Sequence, residues 1–458
     1  MSIRKVLRNL KTVKRTRRLN LSPKLCGENL HSISKTLIPP SSTILSNLNP
    51  TKLHQTLSDP DLKPLYCLHL FDFLRQNESL ISFQPDLQAH LILISKLTKG
   101  RRFSDAEILL KSVSIKDCNR YPFSILASTI ENCCCFEPNV IAKLFNMMLK
   151  VYSDNKKFEQ VLKTFDYMKN KGIDIDERTC TVHLLSLKIN DQMRLSLEFF
   201  NRMIETGIEV SVYSLTVVVE GLCQNGEIRQ CRELVEEMVI KGIKPNIITY
   251  NIMIDACAKR WSFEELNCIL ALMEKEGEAF NINTYKILID GYSSFGKIKE
   301  AEKLLLEMHG RDLNVDTHMY NLVINGYCNK GFVDKALLLF DRMSIRGVNS
   351  TVDTFWALIN GNCKVGRMEI AMAYVSKMQR KGIELDQVIF NILVDGYFRK
   401  GMVDEAYVML IEMVRRGFDA DLSICSKIEA ALFKLNRFEE AKQLVDIMSV
   451  RCKEKELS

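Results

Sequence analysis

The chain has 458 residues, is 47% apolar and 26% charged, and carries a formal net charge of +7. This is the ordinary composition of a soluble chain, and no uninterrupted apolar stretch approaches the ~18 residues of a bilayer crossing, so no membrane insertion is expected. The positive charge is concentrated at the start: residues 1–50 hold Arg4, Lys5, Arg8, Lys11, Lys14, Arg15, Arg17, Arg18, Lys24 and Lys35 against Glu28, which leaves the remainder slightly acidic.

An Arg/Lys-rich, Ser-containing, acid-poor start reads as an organellar transit peptide over residues 1–40. Ile3, Val6, Leu7, Leu10 and Val13 give it one apolar helical stripe, and Pro39-Pro40-Ser41-Ser42 marks its end. Its arginine density points to the mitochondrion, with the chloroplast as the alternative. A disordered basic arm that binds nucleic acid directly is the competing reading of the same residues. Residues 41–141 are expected to be helical. Within them Leu87–Tyr121 resembles a worn copy of the unit repeated from residue 142 onward, with Gly100 and Ala106 at or beside the turn and the small crossing residue.

From residue 142 the chain repeats. Met168, Met203, Met238, Met273, Met308, Met343, Met378, Met413 and Met448 recur every 35 residues. Gly172, Gly207, Gly242, Gly277, Gly347, Gly382 and Gly417 follow four residues later, and only Asp312 and Cys452 depart from that rule. Nine units result, at 142–176, 177–211, 212–246, 247–281, 282–316, 317–351, 352–386, 387–421 and 422–456, the last expected to act as a cap. In the sixth unit Tyr320, Val323, Ile324 and Tyr327 predict a first helix, Gly331 a break, and Ala336, Phe340 and Met343 a second helix that ends at Gly347. Such pairs cannot bury their apolar faces alone, so the fold class is all-α, a solenoid of antiparallel helix pairs in 35-residue repeats. Fifteen cysteines include no Cys-x-x-Cys pair, and most fall inside helical patterns. Buried reduced thiols are expected, with no metal and no cofactor. The Cys133-Cys134-Cys135 run, if helical, points three ways and cannot chelate one ion.

The strings Ile248-Thr249-Tyr250-Asn251-Ile252-Met253-Ile254-Asp255 and Ile389-Phe390-Asn391-Ile392-Leu393-Val394-Asp395-Gly396-Tyr397, with closings such as Lys241-Gly242-Ile243-Lys244-Pro245-Asn246, resemble the pentatricopeptide repeat family. The uniform unit length resembles its pure, or P, class. A 34-residue tetratricopeptide array would carry Ala where Met recurs here. The resemblance implies a right-handed superhelical solenoid that binds single-stranded organellar RNA, one base per repeat, with organellar RNA-processing proteins as candidate partners. It assigns base reading to the fifth and thirty-fifth residues of each unit. In chain order these are Asn146/Asp176, Thr181/Ser211, Thr216/Asn246, Asn251/Asn281, Lys286/Asp316, Asn321/Thr351, Trp356/Asp386 and Asn391/Asp421, with Ser426/Glu456 in the cap. The family's code then gives U-purine-A-pyrimidine-any-pyrimidine-any-U, because Lys286 and Trp356 are not code residues. At the base-sandwiching second position only Ile248 and Val388 are aliphatic. Lys259, Lys364, Arg399 and Lys434, all at the thirteenth position, are the candidate phosphate contacts.

Catalysis is not expected. No histidine has Glu two residues on, so the zinc deaminase signature is missing. No phosphate-cradling Gly-Lys-Ser/Thr loop appears. The sequence stops at Ser458, directly after the last repeat. The rival function is a scaffold that holds a protein or peptide in its groove, although recurring Asn and Thr at the fifth position suit base edges better.

Overall fold

The computed structural model describes residues 49–76, 83–133 and 136–445. The leader at 1–40, Cys134, Cys135, Met448, Cys452 and Glu456 lie outside the described residues. Every regular element among the described residues is helical. They group into two compact units, Met1–Gly221 and Leu222–Ser458.

In the first unit, Leu87–Lys99 pairs with Phe103–Lys111, Pro138–Asp154 with Phe158–Lys171, and Glu177–Ile189 with Met193–Glu205. Cys133 is not helical: it caps Phe123–Asn132 in extended backbone. In the second unit the pairs are Ile247–Arg260 with Phe263–Lys275, Ile282–Ser294 with Ile298–Gly310, Thr317–Asn329 with Val333–Ile345, Val352–Lys364 with Met368–Arg380, and Gln387–Arg399 with Val403–Arg415. First helices of consecutive repeats also pack on one another.

Each repeat is punctuated in the same places. The thirty-fifth residue is the N-cap of the next first helix: Asn246 accepts from the Ile248 and Thr249 N–H groups, Asn281 from Thr284, Asp316 from Met319 and Asp386 from Ile389. At the other end lies the recurrent methionine, whose carbonyl accepts the N–H of the residue after the helix-ending glycine, as in Ile173 to Met168 at 2.9 Å and Val348 to Met343 at 3.1 Å. That is a Schellman closure, and it needs a left-handed residue between. Glycine supplies it in most repeats, and Asp312 adopts the same region with φ 53. The eight described methionines of this register are all fully buried, each worth about 1.5–3 kcal/mol of apolar burial. The chain period is therefore set by one residue that both fills the core and closes a helix.

A second left-handed position, the fifteenth, separates the two helices. Gly226, Gly296, Gly331, Gly366 and Gly401 occupy it in five repeats, whereas Lys156, Asp191, Trp261 and Asn436 do so in the others, with φ of 57–59. Outside glycine this backbone costs roughly 1–2 kcal/mol.

Adjacent first helices approach closely through glycine. A Cβ on Gly291 would stand 2.6 Å from the Ala258 Cβ of the preceding repeat, and one on Gly361 2.7 Å from Cys328. Ala258 cannot swing away. Gly291→Ala is therefore expected to destabilise by about 1–3 kcal/mol, read as a lower urea midpoint. Gly310→Ala, which would meet nothing within 4 Å, should be neutral or gain up to about 1 kcal/mol of helix propensity.

Among the described residues most cysteines are buried free thiols, with Cys118 and Cys268 exposed. Burial raises the pKa of Cys180, Cys328 and Cys363 to about 12, so these behave as small apolar groups.

Candidate nucleic-acid interface

Because the thirty-fifth residue caps the first helix of the next repeat and the fifth lies one turn into the first helix of its own, the two side chains meet across the junction between repeats. In the first repeat the Asn146 Oδ1 accepts the Asp176 N–H at 2.9 Å, and its Nδ2 donates to the Asp174 carbonyl at 2.9 Å. In the fourth, the Asn251 Nδ2 lies 3.5 Å from the Asn281 Oδ1, and its Oδ1 accepts from the Thr284 hydroxyl at 2.8 Å. In the sixth, Asn321 donates to the Thr351 hydroxyl at 3.2 Å and accepts from Thr354 at 2.7 Å. In the fifth, the Lys286 ammonium pairs with the Asp316 carboxylate at 3.0 Å. Burial would raise the Asp316 pKa, but the Met319 N–H and Lys286 outweigh it and hold the carboxyl below its usual range.

The second repeat is built differently. Thr181 is buried, and it and Ser211 share the Glu177 carboxylate at 3.0 and 2.7 Å. Burial raises the Glu177 pKa, yet the hydrogen bonds from Ser211, Ser214 and Thr181 together lower it. Thr216 and Asn246 fall in different units; Thr216 donates to the Val212 carbonyl at 2.7 Å, and Asn246 caps its own helix.

Two residues outside the fifth/thirty-fifth assignment therefore belong to these junctions, Thr284 and Thr354 at the third position. The sequence carries a signal for them: a hydroxyl recurs there as Thr179, Ser214, Thr249, Thr284 and Thr354.

Two cavities open at fifth/thirty-fifth pairs. One of about 720 Å³ in the first unit is lined by Lys143, Asn146, Lys150 and Asp176, with Glu107 and Asp174. The other, about 410 Å³ in the second unit, brings together Trp356, Lys364, Val388, Asn391, Arg399 and Asp421. It unites a half-buried aromatic face, an aliphatic second-position residue, a complete Asn/Asp pair and two thirteenth-position cations. The Asn391 amide carries no hydrogen bond among the described residues, unlike those of Asn146, Asn251 and Asn321. Asp421 accepts from the Ser423 N–H at 2.8 Å and also lines the cavity.

All four thirteenth-position cations are exposed. Lys259 and Arg399 are each paired with an acid one turn back, Asp255 and Asp395, at 2.6 Å. Lys364 instead donates to the neutral Asn329 Oδ1 at 3.2 Å.

Three repeat descriptions match the chain. The model described as PPR repeat family matches residues 138–188, 211–259 and 315–364. Those described as PPR repeat match 381–414, and 248–278, 283–313 and 354–383. Together they cover more than half of the chain. Among characterised proteins, the pentatricopeptide repeat-containing protein At2g32630 of Arabidopsis thaliana is 40% identical over 158 residues, 34% of this chain and 25% of that protein. A second from the same plant, At4g26680, mitochondrial, is 27% identical over 116 residues, 25% of this chain and 21% of its own length. The matched regions thus span about a quarter or less of these relatives. Among solved structures, the maize pentatricopeptide repeat protein PPR10 aligns over 91% of this chain and 71% of its own, with a TM-score of 0.40 and 16% identity. Yeast Rmd9p in complex with a 16-nt target RNA aligns over 91% of this chain and 89% of its own, at 0.32 and 12%. With matched repeats running from residue 138 to 414 on stacked helix pairs, the chain belongs to the pentatricopeptide repeat family.

Proposed function

We propose that this protein, of the P class, binds single-stranded RNA sequence-selectively in the mitochondrion and acts there in transcript stabilisation, processing, splicing or translation, without catalysis of its own. The observation that carries this reading is the cavity at the seventh and eighth repeats. Trp356 offers a stacking face, Asn391 and Asp421 offer donor and acceptor atoms to a base edge, and Lys364 and Arg399 offer charge to phosphate. Family membership supplies the ligand class, and the name of one relative the mitochondrion.

The junctions do not contribute equally. Asn251 and Asn321 must exchange a bond to Thr284 or Thr354 for one to a base, which is nearly neutral. Lys286 and Asp316 satisfy each other, so the fifth repeat reads no base. Asn391 gives up nothing, so the U opposite it dominates selectivity.

Filter binding of the full chain tests this. RNA of the pattern U-purine-A-pyrimidine-any-pyrimidine-any-U is expected to bind at least about tenfold tighter than its scrambled counterpart, and replacing the last U to cost about 1–3 kcal/mol. Affinity is expected to fall steeply with salt. Equal binding of the two RNAs would refute the base assignments, and a protein ligand held with no RNA affinity would establish the scaffold instead.

A further inference from the structure

The edge formed by the turns between first and second helices has a character of its own in the fourth to seventh repeats. Trp261 sits there in left-handed backbone, φ 59, at a position filled by glycine in five other repeats. A bulky aromatic in that region is a backbone outlier, and such strain collects where function requires a side chain. The Trp261 side chain gains little shelter in return: it is 60% exposed, with its ring 5.6 Å from that of Phe295, itself 41% exposed. Phe332 continues the row in the next repeat at 53% exposed.

Beside these rings runs a row of cations whose charges are held by neutral groups. Arg260 donates to the Gln224 carbonyl at 2.7 Å. The Lys297 ammonium lies 3.9 Å above the Phe263 ring. Lys330 donates to the Gly296 carbonyl, and Lys364 to the Asn329 amide oxygen at 3.2 Å. Each reaches back to the preceding repeat, so the four charges form one line across four repeats. Elsewhere on the same edge the cations Lys259 and Arg367 are neutralised by Asp255 and Asp334. Glu264 and Glu300 are exposed nearby, which leaves the row with a surplus of positive charge on an otherwise slightly acidic array.

We infer that this turn edge is a second RNA surface, on which unpaired bases stack on Trp261 and Phe295 while phosphates meet Arg260, Lys297 and Lys330, with Lys364 at its border with the cavity of the proposed function. Exposed planar rings alternating with uncompensated cations are what a single strand needs for binding without sequence preference. The inference extends the RNA-binding reading to a face outside the fifth/thirty-fifth pairs, and its test separates the two.

The chain has two tryptophans, one at each place. In Trp356→Phe protein all tryptophan emission comes from the edge; in Trp261→Phe protein it all comes from the cavity. The probe is a 20-nucleotide RNA carrying the pattern above flanked by uridines, beside a scrambled version of equal length. Both RNAs are expected to quench Trp261 comparably, whereas the matched one quenches Trp356 at lower concentration. Adding Lys297→Gln and Lys330→Gln to the Trp356→Phe protein is expected to weaken Trp261 quenching several-fold and to reduce its salt slope by about 1.4, two single-strand phosphate contacts at about 0.7 each. Quenching of Trp356 with none of Trp261 would sink the edge and leave the cavity reading intact. Loss of both signals would sink both. Trp261 quenching that follows only the matched RNA, or that ignores the lysine changes, would also overturn the edge, as would quenching by poly-glutamate in place of RNA.

Discussion

Asn251→Thr is expected to reverse the base preference of the fourth repeat, from pyrimidine to A. The change gives that repeat the Thr/Asn combination of Thr216 with Asn246. A threonine is sterically at home there, since Thr181 and Thr216 occupy the same position, with their hydroxyl oxygens 3.0 and 2.7 Å from the carbonyl four residues back. Removing the Asn251 amide frees the Thr284 hydroxyl proton to go to the Asn281 Oδ1, 3.0 Å away, so the loss of stability is about 0.5–1.5 kcal/mol. Competition among four RNAs differing only at the fourth base measures the effect. The A-containing RNA is expected to move from weakest to tightest, by about 1–3 kcal/mol. An unchanged ranking, in a variant that melts normally, would show that the fifth position holds repeats together and reads nothing.

Phe340→Ala carries the largest expected cost to stability. The side chain is fully buried, with its ring 5.8 Å from Phe355 and 5.4 Å from Tyr374 of the next repeat and the Lys377 ammonium 4.5 Å over its face. Truncation leaves a cavity at the joint between the sixth and seventh repeats and costs about 3–5 kcal/mol. A solenoid is held by nearest-neighbour interfaces, so the damage is local before it is global. Hydrogen exchange is expected to lose protection first between residues 317 and 386. Uniform loss across all described repeats would contradict a nearest-neighbour array.

The helix pairs were legible from the chain because their causes are local. Methionine at one register closes a helix through its carbonyl and fills the core with its side chain, and glycine or Asp312 supplies the left-handed step. Both signals sit within six residues, and a period repeats them. The N-caps were legible as residue types but not as caps. Asn246, Asn281, Asp316 and Asp386 satisfy the chemistry of a helix start and of a base edge at once, so the sequence pattern alone does not divide the two roles.

What the sequence by itself determined is thus the unit: two helices, their turns, the buried stripe and the register of the fifth and thirty-fifth residues. Only the tertiary structure decided what those residues touch. Asn251 meets Thr284, and Lys286 meets Asp316, across some thirty residues of chain, while Asn391 is left to face a cavity shared with Trp356 and Lys364. The same holds for Trp261, whose ring meets Phe295 only once consecutive repeats stack, with the Lys297 ammonium 5.8 Å over that second ring. The physical reason is that backbone turns and caps are satisfied within one helix end, whereas side-chain partners depend on how closely successive repeats stack.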